Sequence, residues 1–272
     1  MILIYRETPS ESANKLVEKI RELGAAARRV KTRARLLSLM HAPSFEQRPH
    51  VVSWGAHTGL TGTLNEHAGN SEGKFHELQT LAAAGVVVPA HSLARPRLSS
   101  SSGGCDAQCE HCTVPARIIT SEPDTSYLPR RFNHMGGHDL LRAPSTPDYW
   151  VKKVEVDSEY RVHVFQGAVI RLGVRVKARE DAHPWIRSYD AGWRLSYGNE
   201  GNRSEAILRA VRDVGKRAVV ALGLDFGAVD VGWDGSGRTT NGVIVFEVNS
   251  APGLDGGTLE KYAVAIKAWS EQ

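Results

Sequence analysis

Cysteine and long apolar runs are both scarce in this chain. Only 3 of the 272 residues are cysteine, and no run approaches the ~20 apolar residues that a membrane-spanning helix needs. An odd number of cysteines in one cluster argues against a small secreted domain held together by disulfide bonds. Residues 1–5 are followed at once by polar residues, without the pattern of a secretion signal. We therefore expect a cytoplasmic protein.

The residues that are abundant suit an enzyme with a sizeable core. Hydrophobic residues make up 41% of the chain and charged residues 24%, which is enough for one large domain or two to three small ones. The net charge of +4 and the pI near 9.0 favour an anionic partner, a condition that ATP alone can satisfy. The densest basic stretch runs from Arg28 to Arg35. We interpret it as a solvated face, with a docking site for nucleic acid or an acidic protein as the alternative.

Hydrophobic periodicity predicts an α/β chain. Strands are expected at residues 1–5, 51–54, 149–154, 160–165 and 168–172 and in the segment that ends near Arg130, and helices at residues 10–24, 72–84, 204–222 and 259–266. A strand followed by a helix at the start of the chain indicates layered packing of helices on a sheet.

Two strand-like runs near the C-terminus, residues 226–231 and 243–249, carry polar side chains that suit a metal ion. Turn-forming residues between the runs favour an antiparallel hairpin. Residues two apart share one face of a strand, so Glu247 and Asn249 point the same way, and Asp230 can join them from the neighbouring strand. Hard oxygen ligands of this kind suit Mg²⁺ held between a protein and substrate phosphates. The alternative is that Asp230 is a strand-edge charge and that Asn249 merely starts a turn.

A cysteine cluster follows the Ser/Gly-rich stretch at residues 99–104. The spacing of Cys105, Cys109 and Cys112 lets three thiolates converge on one Zn²⁺ ion, with His111 or a distant histidine as the fourth ligand. Reduced thiols in an inserted segment are the alternative. The spacing also resembles the iron–sulfur motif of radical-SAM enzymes, but here it follows a linker and not an early barrel strand.

The hairpin sequence from Glu247 to Leu254, EVNSAPGL, resembles the C-terminal signature motif of the ATP-grasp superfamily. Within that superfamily, it resembles the branch near the ribosomal-protein glutamate ligases. The run Glu159-Tyr160-Arg161 is similar to the acidic-x-Arg strand of that superfamily. Residues 130–139 are similar to the phosphate loop of small ATP-grasp proteins from bacteriophages. Four further segments resemble landmarks of the domain that precedes the two ATP-grasp lobes in this superfamily. They are Trp54-Gly55, Leu64-Asn65, Lys74 and residues 86–89.

The resemblance implies an α/β ATP-grasp fold, in which an N-terminal pre-ATP-grasp α/β domain precedes two α+β lobes that clamp ATP. Residues 1–90 would form the N-terminal domain and residues 91–153 the first lobe, with the Cys-containing insertion at 99–117. Residues 154–272 would form the second lobe with the Mg-ATP site. The activity implied is ligation of a carboxylate to an amine or related nucleophile, through an acyl-phosphate and with release of ADP and phosphate. Mg²⁺, or Mn²⁺ in its place, would be needed, and the substrate is left open among peptides, proteins and nucleic acids.

The resemblance also assigns roles to single residues. Asp230, Glu247 and Asn249 would hold the metal, and Arg161, with Arg187 as a weaker candidate, would act on the reacting acyl-phosphate. The paired glycines in residues 130–139 let backbone N–H groups approach an anion closely. The strand that follows this segment carries two lysines. Nucleotide binding is therefore assigned to Arg130, His134, Gly136, Gly137, Lys152 and Lys153. Arg130 stands where many ATP-grasp enzymes carry lysine. For Lys152 and Lys153, the alternative interpretation is that they are exposed residues at a strand edge.

Two functions of other classes stay open. A zinc-stabilised nucleic-acid-binding module would explain the cysteine cluster and the basic stretch, and it predicts salt-dependent binding without ATP turnover. A degenerate grasp fold would bind a nucleotide without ligating anything. The presence of Asp230, Glu247 and Asn249 together weighs against the second alternative.

Overall fold

A computed structural model describes residues 1–42, 48–68, 73–101, 117–132, 146–198, 203–236 and 242–272. The helices in these ranges are α1 (Glu11–Glu22), α2 (Arg33–Met40), α3 (Lys74–Ala83), α4 (Glu205–Ala221) and α5 (Gly256–Ser270). The strands are β1 (Ile2–Tyr5), β2 (Ala27–Val30), β3 (His50–Ser53), β4 (His91–Ser92), β5 (Arg97–Ser101), β6 (Arg117–Pro123), β7 (Tyr127–Arg130), β8 (Tyr149–Lys152), β9 (Ser158–Phe165), β10 (Ala168–Lys177), β11 (Trp193–Tyr197), β12 (Phe226–Trp233) and β13 (Val243–Asn249). The predicted mixture of helices and sheets is confirmed.

The chain divides into two compact units. One contains residues 1–88 and 155–272, and the other contains residues 89–154. The smaller unit holds a three-stranded antiparallel sheet of order β4-β8-β7 and the antiparallel pair β5-β6. The division into domains 1–90, 91–153 and 154–272 stays a prediction.

The N-terminal part of the larger unit is a parallel sheet of order β2-β1-β3. All four residues of β1 are buried, as expected for a central parallel strand. Helix α1 begins because the Ser10 hydroxyl accepts a hydrogen bond from the N–H of Ala13, and it buries Leu16 and Ile20 on one face. The sequence analysis does not predict β2, since its two central residues are arginines and only Ala27 and Val30 are buried.

The second part of the larger unit is a five-stranded antiparallel sheet of order β11-β10-β9-β12-β13. Helix α4 packs on one face of this sheet and shares a valine-rich core with β9 and β12. Gly215 on α4 allows close approach, because a Cβ there would lie 2.8 Å from a methyl group of Val162. We call the face opposite α4 the site face, defined by the side chains of Arg161, Asp230 and Glu247.

A β-bulge lies in the pairing of β12 with β13. Asp230 is paired with Glu247, but the next residue, Val231, is paired with Val245. Phe246 is therefore the extra residue on β13. The β12–β13 hairpin expected from the sequence is confirmed, while the bulge was not predicted.

Strand β13 is an outer strand of its sheet, and the N-terminal half of the chain covers its edge. The N–H of Val248 donates to Oε1 of Glu77 on α3 at 2.8 Å, and the N–H of Val245 donates to the carbonyl of Val87 at 2.8 Å. Covering an edge in this way satisfies buried backbone groups and prevents pairing with other chains. The strand that carries Glu247 is thus fixed by residues from far earlier in the sequence.

Glu77→Ala should lower the free energy of unfolding by about 2–3 kcal/mol, because it leaves the buried N–H of Val248 without its acceptor. Glu77→Gln should cost less, since the amide oxygen can still accept that bond. Urea denaturation followed by circular dichroism would measure both. The matched control is Gln79→Ala, an exposed position on the same helix. Equal stabilities for Glu77→Ala and the control would contradict the edge contact.

Candidate active site

Three neighbouring strands place charged residues side by side on the site face. Arg161 on β9 is the direct cross-strand partner of Asp230 on β12, which in turn is the partner of Glu247 on β13. Their neighbours Val162, Val229 and Val248 belong to the core against α4. Because side chains alternate along a strand, Arg161, Asp230 and Glu247 all point away from that core.

Arg161 holds Asp230 with two parallel hydrogen bonds. Nε of Arg161 donates to Oδ1 of Asp230 at 2.7 Å, and Nη2 donates to Oδ2 at 2.6 Å. The side chains are only 17% and 8% exposed. Burial by itself lowers the pKa of Arg161, but the attraction of Asp230 outweighs it and raises that pKa above its ordinary value. A bidentate, buried pair of this kind fixes the position of both groups.

Glu247 is held by a different set of contacts. Its Oε1 accepts a hydrogen bond from Nδ2 of Asn249 at 2.8 Å, and its Oε2 lies 3.7 Å from Nζ of Lys74 on α3. The same ammonium lies 3.2 Å from Oε2 of Glu77. Burial lowers the pKa of Lys74, but attraction first by Glu247 and then by Glu77 raises it overall. Lys74 is therefore a cation that orients Glu247.

A second ion pair borders the Arg161–Asp230 pair. Nε of Arg175 on β10 lies 3.3 Å from Oε1 of Glu159, and its Nη2 lies 3.8 Å from Oδ2 of Asp230. Burial, and next the charge of Asp230, raise the pKa of Glu159 to about 7. Sequence reasoning did not assign a role to Arg175. The signal was present, because Arg171, Gly173 and Arg175 alternate with core residues along β10.

Arg187, the weaker catalytic candidate, lies near the same group of charges. Its Nη2 donates to the carbonyl of Val156 at 2.6 Å, and its guanidinium lies 5.0 Å from the ring centroid of Trp193. Burial lowers its pKa, while the charge of Glu159 opposes that shift. Arg187 thus adds a third arginine to the set formed by Arg161 and Arg175.

The donor set on the site face fits a hard divalent cation. Each carboxylate oxygen has more than one lone pair, so Asp230 can bind a metal while it accepts hydrogen bonds from Arg161. Glu247 supplies a second carboxylate, and the amide oxygen of Asn249 is free to face a metal because the Nδ2 group does the donating. Oxygen ligands supported by further hydrogen bonds are typical of Mg²⁺ sites.

No zinc site emerges from the part of the chain that the structure describes. Within those ranges, no group of three or more His, Cys, Asp and Glu side chains could hold a metal ion. The oxygen set proposed for Mg²⁺ differs from such a group because it contains two carboxylates and one amide. Cys105, Cys109 and Cys112 lie outside the described residues, and Zn²⁺ has no support.

The predicted nucleotide-binding residues belong to the smaller unit. Arg130 ends β7 and is paired with Tyr149, while Lys152 ends β8 and is paired with Tyr127. The N–H of Lys153 donates to the carbonyl of Ser126 at 2.8 Å. The strand expected to end near Arg130 is confirmed. His134, Gly136 and Gly137 lie outside the described residues, so the phosphate loop stays a prediction.

A buried histidine lies on the site face two residues from Arg161. The ring nitrogens of His163 lie 3.3 Å from the Tyr262 hydroxyl and 3.2 Å from the Tyr197 hydroxyl. Burial, assisted by the charges of Arg161 and Arg171, lowers the pKa of His163 to about 3. His163 is therefore neutral at physiological pH and acts as a hydrogen-bonding link between β9, β11 and α5.

This link should make folding stability depend on pH. The unfolded state binds a proton below pH ~6.5, but the folded state resists protonation of His163 until about pH 3. Stability should therefore fall as the pH drops from 6.5 towards 3, by up to about 2 kcal/mol at pH 5. Thermal unfolding at several pH values would show a flatter profile for His163→Gln than for the wild type. His57→Gln, at an exposed position, should keep the wild-type slope, and identical slopes in all three proteins would refute the assignment.

No protein-family model and no curated protein sequence matches this chain. Solved structures match it along nearly its whole length. The ATP-grasp ligase PsnB, complexed with a minimal precursor, is 16% identical with a TM-score of 0.57, over 98% of this chain and 98% of that one. The chain has the ATP-grasp fold. A D-alanine–D-alanine ligase from Bacillus anthracis is 11% identical, also with a TM-score of 0.57, over 98% of this chain and 92% of that one.

The predicted ATP-grasp fold is thus confirmed, and identities this low establish the fold alone. Within the described ranges, no helix is long and apolar enough to cross a membrane. Fold by itself does not determine activity, so the function must be argued from the residues on the site face.

Proposed function

We propose that this protein is an ATP-dependent ligase that joins a carboxylate to an amine or related nucleophile, forming a C–N bond. The carboxylate oxygen attacks the γ-phosphorus of ATP, the bond to the bridging oxygen breaks, and ADP leaves. The nucleophile then attacks the acyl carbon of the acyl-phosphate and releases phosphate. The row of Arg161, Asp230 and Glu247, with Asn249 beside it on the site face of an ATP-grasp fold, carries this proposal.

Both steps build negative charge, and the site face offers groups that stabilise it. Asp230, Glu247 and Asn249 would hold Mg²⁺, or Mn²⁺ in its place, which when bound neutralises charge on the phosphate oxygens. Arg161 acts on the reacting phosphoryl and acyl groups, and Arg175 and Arg187 add positive charge near it. Cations held in fixed positions in a partly buried site stabilise a transition state without reorganising during the reaction.

Nucleotide binding is proposed for the smaller unit, at Arg130, Lys152 and Lys153 and at the loop with His134, Gly136 and Gly137. Arg130 would bind phosphate through two N–H groups, a geometry that lysine lacks. Support comes from the sequence, where paired glycines follow a strand that ends in arginine. The closer placement near the ribosomal-protein glutamate ligases and bacteriophage ATP-grasp proteins is likewise proposed from sequence motifs.

A peptide is the substrate class we propose to test first. The similar ligase PsnB was solved with a minimal precursor, and also with precursor peptide PsnA2 and AMPPNP. A cytoplasmic location is proposed with it, because ATP and Mg²⁺ are supplied there. Neither the zinc-stabilised nucleic-acid-binding module nor the degenerate grasp protein is favoured by any contact of the described residues.

ADP release in the presence of Mg²⁺ tests the proposed activity. Pools of amino acids, peptides, polyamines and nucleic acids would be supplied in turn, with Glu247→Gln as the negative control. We expect release to rise with one pool, to require Mg²⁺ and to be absent in the variant. Substrate-dependent release that persists in Glu247→Gln, or nucleotide binding without release under every condition, would overturn the ligase proposal.

A further inference from the structure

The basic stretch around β2 has no acidic residue near it in the sequence. Between Glu22 and Glu46 the sequence contains five basic residues and no acidic one. In the described part of the chain, none of these five side chains forms an ion pair, although surface lysines elsewhere do so, for example Lys216 with Asp213 at 2.7 Å. The five residues are Arg28, Arg29, Lys31, Arg33 and Arg35. We call them the basic edge; Arg28 and Arg29 lie on β2, Lys31 follows it, and Arg33 and Arg35 belong to α2.

Arg29 shows that part of the basic edge is held in place. Its guanidinium donates to Oδ1 of Asn14 at 2.7 Å and to the carbonyl of Thr8 at 2.7 Å. All of these acceptors are uncharged, and the buried Nε of Arg29 has no hydrogen-bond partner. A buried donor without a partner is costly. A positive charge that is positioned but not neutralised favours an anion from outside the chain.

The backbone of β2 offers a second feature, an outer edge that is only partly covered, since the carbonyl of Ala27 accepts a hydrogen bond from Nε of Arg21 at 2.8 Å. β2 is an outer strand of the sheet and pairs with β1 alone. The opposite outer strand, β3, is covered, because the N–H of Ser53 donates to the carbonyl of Leu64 and the N–H of Leu64 donates to the carbonyl of Val51, each at 2.9 Å. Within the described ranges no other strand pairs with the outer side of β2.

Like charges along a strand edge determine which strands can pair with that edge. Arginine and lysine side chains along a strand repel a second copy of the same strand, which protects the edge from self-association. The same charges attract a strand of opposite sign. Opposite charges on paired strands stabilise the pairing, and main-chain hydrogen bonds to the outer edge add affinity.

We infer that the basic edge docks an extended acidic peptide segment, which adds to the sheet as a strand beside β2. The peptide would place its carboxylates near Arg28 and Lys31, which are exposed, and its backbone along the outer side of β2. This docking is separate from ATP turnover and does not depend on the proposed ligation. Single-stranded RNA could use the charges of the basic edge but not its backbone groups, so RNA is an outcome of the test.

Fluorescence anisotropy of a labelled peptide of about ten residues tests the inference on the full chain. Its glutamates occupy both faces of the extended peptide, because Arg28 and Lys31 are an odd number of residues apart. Reversing two charges in Arg28→Glu/Lys31→Glu should weaken binding by at least about tenfold, because opposite-sign contacts become like-sign contacts. The matched control, Arg209→Glu/Arg217→Glu, makes the same charge change at exposed positions of α4. It should change the affinity by less than about twofold.

A second peptide separates strand addition from plain charge attraction on the wild-type protein, so it is decisive even if the double variant does not fold. The peptide has the same sequence and charge, but alternate backbone nitrogens are methylated, which removes the N–H donors that a ladder needs. We expect at least about tenfold weaker binding of the methylated peptide. Equal affinity for both peptides, equal weakening in both double variants, or tighter binding of a single-stranded RNA that depends on Arg28 and Lys31 would each overturn the inference.

Discussion

Glu247→Gln should abolish Mg²⁺-dependent ATP turnover while the protein stays folded. The amide keeps the shape of the side chain but removes the negative charge that a divalent cation needs, so kcat/KM should fall by at least about 100-fold. The fold should survive because the Glu247 side chain is 30% exposed and its contact with Lys74 spans 3.7 Å. A coupled assay for ADP release and a thermal unfolding scan would measure the two properties separately. Glu180→Gln, an exposed position, is the matched control.

Asp230→Asn should lose activity as well, but with a second effect that Glu247→Gln lacks. Asp230 neutralises the buried guanidinium of Arg161, and breaking a buried ion pair costs about 3 kcal/mol or more. The two variants should therefore resemble each other in activity and differ in stability. Turnover close to that of the wild type in either one would exclude the proposed metal ligands.

Arg161→Lys should lower kcat by at least about 100-fold and leave the Kd for nucleotide nearly unchanged. Lysine keeps the positive charge, so Asp230 stays partly neutralised and the protein should fold. It cannot make the two parallel hydrogen bonds that hold Asp230 at 2.7 and 2.6 Å. Steady-state kinetics and calorimetric titration with ADP would give the two quantities.

The exposed Arg179 provides the control for this experiment, since Arg179→Lys changes the same chemistry away from the row of charges. A variant at Arg161 that loses nucleotide affinity and keeps kcat would assign Arg161 to ground-state binding. Arg161→Ala is less informative, because it leaves the Asp230 carboxylate buried without a cation and lowers stability together with activity.

The arrangement of Asp230 and Glu247 could be predicted because it depends on local rules. Period-two alternation and a Gly-rich turn are sufficient to predict a hairpin whose carboxylates share a face, and the structure pairs the two residues directly. The amphipathic helices α1 and α4 were predicted for the same reason. Each of these features is decided within a few residues of chain.

The contacts that hold the site could not be predicted, since they join distant parts of the sequence. Glu77 on α3 contacts β13 at a residue 171 positions later in the chain, and Lys74 contacts Glu247 on the same strand. Arg175 approaches Asp230 across β9, a contact that depends on strand order and not on the order of residues. Strand β2 was missed because its arginines outweigh its two buried apolar residues.

The extra residue Phe246 determines which side chains of β13 face the core before and after the bulge. Val243 and Val245 precede the bulge, and Val248 follows it, yet all three pack in the core against α4. Strict alternation would send Val248 to the opposite face from Val245 and would turn Glu247 inwards. Deleting Phe246 would leave Val245 and Val248 two residues apart, so plain alternation would keep both in the core and Glu247 on the site face. The bulge absorbs one residue and so separates the length of this hairpin from the direction in which its charged side chains point.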